Sequence, residues 1–270
     1  MTCGTQYPDG PAPPAACPIC EDPRQYVPVT GQQWTTLEAL AAEHANRIAP
    51  QGELTGVGTE PKFGIGQRAL LVPYGERVFL WDCVTLLDDA TVEEIERRGG
   101  LAGIAISHPH YYSAMGEWGD RFGCPIHLHA GDAEWIMRPH AAVAHWSGDT
   151  LDLGEGLTLI RCGGHFPGGT VLHWAGGAGG AGALLSGDIV QVIPDRSHVS
   201  FLWSYPNQIP LHESAVLEIG DQLAPFGFDE LYGAWWETRI GPGAKGIVER
   251  SVERCVRALR GEGEFARTKA

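Results

Sequence analysis

Apolar positions recur along this chain in short runs, and their period moves between two and about 3.6 residues. Ala69-Leu70-Leu71-Val72 and Val78-Phe79-Leu80-Trp81, joined around Tyr74-Gly75-Glu76, predict a β-hairpin with Asp82 at its end. Thr91-Val92-Glu93-Glu94 has the form of a capping box, and the helix it opens continues to Arg98 and stops at Gly99-Gly100. The run from Gly103 to Ile106 predicts a strand, Ala114 to Phe122 a helix, and Pro125 to His129 another strand. Residues 151–161 predict a hairpin around Gly154-Glu155-Gly156. Thr170–Trp174 and Ala183–Leu185 predict two strands separated by a flexible Gly/Ala run. A helix over Leu211–Leu223, a strand over 228–232 and a closing helix over Ala244–Leu259 complete the series. The last carries Ile247, Val248, Val252, Val256 and Leu259 on one side. Helices alternating with strands in this way argue for an α/β layered domain.

The first quarter of the chain is less periodic. Thr36 to Ile48, capped by Thr35 or Thr36, predicts one helix within a Gly/Pro-rich stretch from 27 to 66. Residues 1–26 hold many prolines and little pattern. The expected organisation is a leader over 1–26 and one large domain over 27–270.

Composition narrows the function classes. A hydrophobic fraction of 43% suffices for a core, and the longest apolar runs are strand-sized rather than membrane-sized. No secretory signal pattern opens the chain, so a cytoplasmic protein is expected. The net charge of -14 argues against nucleic acid and against an anionic membrane surface. The seven cysteines are odd in number and four are scattered, which fits a reducing compartment. The other three are Cys3 and the pair in Cys17-Pro18-Ile19-Cys20. A Cys-x-x-Cys turn aims two thiolates at one metal. Cys3-Gly4 has the form of the end of a second such turn, whose first cysteine would precede Met1. Two readings stand: a zinc knuckle on Cys3, Cys17 and Cys20, or reduced surface thiols on a loose leader.

The main chemical signal is Ser107-His108-Pro109-His110-Tyr111-Tyr112-Ser113. If the preceding run is a strand, His108 and His110 leave its end on the same side, since side chains alternate with period two. Two imidazoles at a strand end begin a metal site. Gly163-Gly164-His165-Phe166-Pro167-Gly168-Gly169 sets a third histidine among glycines that allow tight turns, and Ser186-Gly187-Asp188 closes a strand with a carboxylate.

These three motifs, in this order, resemble the metallo-β-lactamase superfamily. The intervals of 57 residues from His108 to His165 and 23 from His165 to Asp188 are similar to those of its glyoxalase-II-like members. The resemblance covers about residues 65–240 and implies a four-layer αββα sandwich. His-Pro-His-Tyr-Tyr, the cysteine leader and Ser204-Tyr205-Pro206-Asn207 resemble a subgroup with no assigned substrate. The chain departs from the superfamily pattern at Tyr112 and Ser113, where the first motif has an aspartate and a second histidine. It departs again near Leu231–Trp236, where a late histidine is expected. All three positions belong to a second metal. The resemblance therefore implies one metal, held by His108, His110 and His165, with Asp188 as a fourth ligand or as a base beside it.

Zinc suits three imidazoles and iron is the second choice. The expected function is hydrolysis of a small ester-, lactone-, thioester- or amide-like substrate by a metal-activated water. Two alternatives are a mononuclear iron oxygenase acting on a thiol, and a non-catalytic metal- or ligand-binding protein. Tyr112 either donates to an oxyanion or fills the space of the lost metal; Ser113 is read as the cap of helix 114–122. Asp82 is read as a partner that orients a ligand histidine. Trp118, Trp203, Trp235 and Trp236 are candidates to line a substrate pocket.

Overall fold

In the computed structural model, Thr36 Oγ1 accepts from the Ala39 N–H at 3.1 Å and caps α2 (Leu37–Glu43), which follows the four-residue α1 (Pro18–Glu21). Residues 1–266 are described. The helix does not run on to Ile48. His44 turns the backbone extended, and β1 (Ala45–Gln51) pairs residue for residue with β2 (Leu54–Glu60), from Ala45 against Glu60 to Gln51 against Leu54. Gly52, at φ +60°, makes the turn between them. Asn46 fixes the new direction, because its N–H donates to Asp88 at 2.7 Å and its side chain to the Leu86 carbonyl at 2.9 Å. Both partners are some forty residues away, beyond the reach of a local pattern.

The chain divides into two units, Met1–Ser147 and Gly148 onward. The first holds a seven-stranded sheet in simple sequence order: β1, β2, β3 (Ala69–Tyr74), β4 (Arg77–Trp81), β5 (Leu101–Ala105), β6 (Ile126–His129) and β7 (Val143–Trp146). The expected hairpin is β3–β4. Strands β1 to β4 form an antiparallel meander, whereas β4, β5, β6 and β7 run parallel. The crossover from β4 to β5 is α3 (Asp89–Arg97) and that from β5 to β6 includes α4 (Met115–Phe122). Asp88, not Thr91, caps α3, through Oδ1 accepting from Thr91 N–H at 3.0 Å. Parallel strands gather their carboxyl ends at one edge, where open α/β sheets place ligand-binding loops. The 107–113 segment leaves β5 at that edge.

The second unit holds a six-stranded sheet in the order β17-β16-β11-β10-β9-β8. Its strands are β8 (Thr150–Gly154), β9 (Leu157–Arg161), β10 (Thr170–Trp174), β11 (Ala183–Gly187), β16 (Glu230–Gly233) and β17 (Arg239–Ile240). A short turn, α5 (Gly177–Gly180), lies between β10 and β11. Two small ribbons, β12 (Gln191–Val192) with β13 (Val199–Ser200) and β14 (Leu202–Ser204) with β15 (Ile209–Pro210), fill a stretch where no strand was expected. Here too an antiparallel meander gives way to a parallel pair, β11 with β16. Two helices, α6 (Glu213–Leu223) and α7 (Ala244–Arg260), carry Val216, Ile219 and Val248 into a core shared with Ile160, Val171, Leu184 and Leu231. Each such side chain contributes about 1.5–3 kcal/mol. The expected α/β class holds, with two large sheets and accompanying helices. Among the described residues no helix is long and apolar enough to cross a membrane.

Candidate metal centre

Each unit carries part of the predicted histidine set, and each part is held by its own unit. In the first, His108 leaves β5 with extended backbone and Pro109 opens a single 3-10 turn over Pro109–Tyr111. Proline suits that first position because its fixed φ is helical and its missing N–H is not needed. The turn, rather than strand alternation, is what sets the His110 ring edge-on to the His108 ring, with centroids 5.0 Å apart. The Tyr111 ring stands edge-on to His108 at 4.4 Å. All three side chains are buried.

A buried relay orients His108. Asp82, at φ +59°, accepts from the Ser107 N–H at 2.8 Å, and Ser107 Oγ shares a hydrogen bond with His108 Nδ1 at 2.9 Å. Burial pushes the Asp82 carboxyl up to about 7, against the pull of the Ser107 hydrogen bonds and of the Arg68 charge. The expected orienting role of Asp82 is thus exercised through Ser107, the residue that precedes His108. With Nδ1 engaged in this way, Nε2 is the nitrogen a metal would take.

Ser113 does not cap the following helix; the cap position is Ala114. Ser113, at φ +47°, donates from Oγ to the Cys83 carbonyl at 3.2 Å and receives Gln67 Nε2 at 3.1 Å. Tyr112 is buried, and burial followed by the Asp132 charge raises its hydroxyl pKa well above the usual value. Trp118 is core: fully buried, it donates to the Val84 carbonyl at 3.0 Å. His129 Nδ1 accepts from Gly131 N–H at 3.1 Å, a local turn contact.

In the second unit, the Cys162 and Gly163 N–H groups both donate to the Gly169 carbonyl, at 2.8 and 2.9 Å, and close the loop that presents His165. Gly164 is at φ +76°, and a Cβ there would come within 2.9 Å of Leu211, so this turn accepts only glycine. His165 Nδ1 hydrogen-bonds the Trp203 carbonyl at 2.8 Å, which again points to Nε2 as the ligand nitrogen. The Tyr205 ring packs edge-on to His165 at 5.3 Å, and its hydroxyl donates to the backbone carbonyl of Asp188. Tyr205 thus links the histidine loop to the aspartate after β11. Trp203 is expected as a pocket residue and Tyr205 only as part of a subgroup motif; their contacts with His165 and Asp188 depend on the ribbon Leu202–Ser204 with Ile209–Pro210, which the local pattern does not predict. Asp188 is buried.

The leader cysteines come together within the first unit. The Sγ atoms of Cys3, Cys17 and Cys20 all lie within 4.8 Å of one another. The three residues are 3–4% exposed, so they are not surface thiols. No disulfide joins any cysteine among the described residues. Hydrogen bonds from the Cys20 and Cys3 thiols hold Cys17 far below the ordinary thiol value, and the same contacts push Cys3 and Cys20 up.

The two sheets and the loops at their ends define the fold as that of the metallo-β-lactamases. The structure of the DIM-1 metallo-β-lactamase aligns with 79% of this chain and 100% of its own, at a TM-score of 0.58 and 15% identity. The mono-zinc form of FIM-1 from Pseudomonas aeruginosa aligns with 78% of this chain and 96% of its own, at 0.54 and 14%. TTHA1623 in a di-iron-bound form aligns with 68% and 95%, at 0.51 and 18%. No family model matches the chain. A sequence relative lies much nearer. The "Uncharacterized protein YmaE" of Bacillus subtilis (strain 168) is 46% identical over 264 residues, 97% of this chain and 96% of its own length, and the chain belongs to the family of YmaE.

Proposed function

We propose that the protein is a metal-dependent hydrolase of a small ester-, lactone-, thioester- or amide-like substrate, with one zinc ion held by His108, His110 and His165 and with Asp188 beside it as the base. The observation that carries this reading is the matched fixing of His108 and His165. Each gives Nδ1 to a partner of its own unit, Ser107 Oγ at 2.9 Å and the Trp203 carbonyl at 2.8 Å. Such outer partners set the tautomer of a ligand imidazole and its direction. The donor set therefore fits a borderline cation. Bound there, zinc supplies an acidified water and a Lewis acid for a carbonyl oxygen. Asp188, whose backbone carbonyl accepts from the Tyr205 hydroxyl, is the group that would accept a proton from water activated there. Tyr112 is assigned to packing beside Asp132 rather than to donation toward substrate. The loss of the second-metal positions at Tyr112, Ser113 and Leu231–Trp236 supports a single ion. The seven cysteines without a disulfide among the described residues favour a reducing cytoplasm.

The test is turnover of a panel of aryl esters, lactones and thioesters by zinc-loaded protein, alongside His165→Ala. Hydrolysis by the wild type that the variant lacks is the expected outcome. Equal turnover by both, or none by the wild type, contradicts the reading. Oxygen uptake by iron-loaded protein with a thiol, and no hydrolysis, would favour an oxygenase.

A further inference from the structure

We propose that Cys3, Cys17 and Cys20 bind a second, thiophilic divalent cation of the zinc type, a structural site that fastens the leader onto the loop carrying His108 and His110. The claim is independent of the hydrolase reading. The Sγ atoms of Cys3 and Cys17 are 3.7 Å apart. That is far from a disulfide bond and close to the roughly 3.8 Å edge of a tetrahedron with zinc–sulfur distances of about 2.3 Å. The fourth vertex would fall to a donor outside these three thiols.

The local backbone is built for this convergence. Gly4 follows Cys3 at φ +75°, a conformation that turns the chain tightly after the first thiol. Cys17 sits at the cap of α1, Pro18 starts it, and one turn later Cys20 returns to the same side. Around the sulfurs lie Ile19, Tyr7, Trp34, Trp135 and Met137. A thiolate in such surroundings is costly unless a cation balances it. A redox pair would instead keep its attacking sulfur accessible, and these three are 3–4% exposed.

The clamp is equally specific. Thr85 Oγ1 donates to the Gly4 carbonyl at 2.8 Å, and a Cβ on Gly4 would come within 2.6 Å of that same oxygen. The Gln6 N–H donates to the Ser113 carbonyl at 3.0 Å. Gln6 Nε2 donates to Glu117 at 2.8 Å, and Arg138 donates to Gln6 Oε1 at 2.7 Å. Ser113 is three residues beyond His110. The thiol cluster therefore holds down the strip of leader that pins the end of the histidine loop.

The experiment uses the full-length protein and cobalt as probe. Cobalt-loaded wild type should show thiolate-to-cobalt charge-transfer absorption, His165→Ala should keep it, and Cys17→Ser/Cys20→Ser should lose it together with one metal equivalent. Absence of the band from cobalt-saturated wild type, or unchanged metal content in the double variant, would overturn the site. Should the variant not fold, the wild type still decides. Its three leader thiols should resist alkylation with zinc bound and react once a chelator is added; equal labelling in both states would contradict the proposal. Amide exchange around residues 108–113 should speed up on chelation in His165→Ala, and unchanged exchange would remove the clamp.

Discussion

The segment bearing His108 and His110 and the leader bearing Cys3, Cys17 and Cys20 cluster their donors by opposite routes. The histidines stand at the carboxyl end of a parallel strand, on a proline-started turn, and a buried Asp82–Ser107 relay aims one of them. Their scaffold is the seven-stranded sheet. The thiols stand on loop and a four-residue helix, with little regular structure of their own. There the proposed cation would supply the cross-link. The comparison teaches how two donor clusters can differ: partners outside the ring orient the histidines, whereas the proposed cation would have to complete the thiol cluster.

The widest separation between the two comes from His110→Ala. Turnover should fall on the order of a thousand-fold, several kcal/mol of transition-state stabilisation, with the thiolate–cobalt band intact and the melting temperature little changed. Loss of the thiolate–cobalt band together with turnover would merge the sites.

The histidine segment carries a pH effect of its own. With the Asp82 carboxyl raised from 3.8 to about 7, the folded state keeps a proton that the unfolded chain releases between those values. Metal-free protein should therefore lose stability as pH rises from about 4 to about 7, by up to roughly 4 kcal/mol. Asp82→Asn should flatten that slope in denaturant titrations at several pH values.

The leader has its own expected loss. Cys17→Ser/Cys20→Ser should cost about 3 kcal/mol, read as a fall of roughly 6–12 °C in thermal midpoint, while ester turnover persists at a reduced level. Smaller again, Ser107→Ala should weaken metal binding at the histidines by about 10–100-fold, measured by competition with a chelating dye. Tyr112→Phe should leave kcat within about threefold; a hundred-fold loss would restore it as an oxyanion donor.

Much of the architecture was legible because strand ends and glycine turns are local signals. The hairpin ending in Asp82, the strand before His108 and the glycines around His165 all came from short-range pattern. Residues 45–60 did not, since Asn46 takes its direction from Leu86 and Asp88. The partners of the site were the least visible part. Ser107 acts through its place beside a histidine, and Trp203 through a backbone carbonyl, which carries no residue signature. The convergence of His108 and His110 was expected from strand alternation but is produced by the turn that Pro109 starts.

The most direct measurement is an anomalous difference map at the zinc edge from crystals of protein purified without chelator. The account predicts two separate peaks, one among His108, His110 and His165 and one among Cys3, Cys17 and Cys20. A pair of adjacent ions at the histidines, or no peak there, would contradict it.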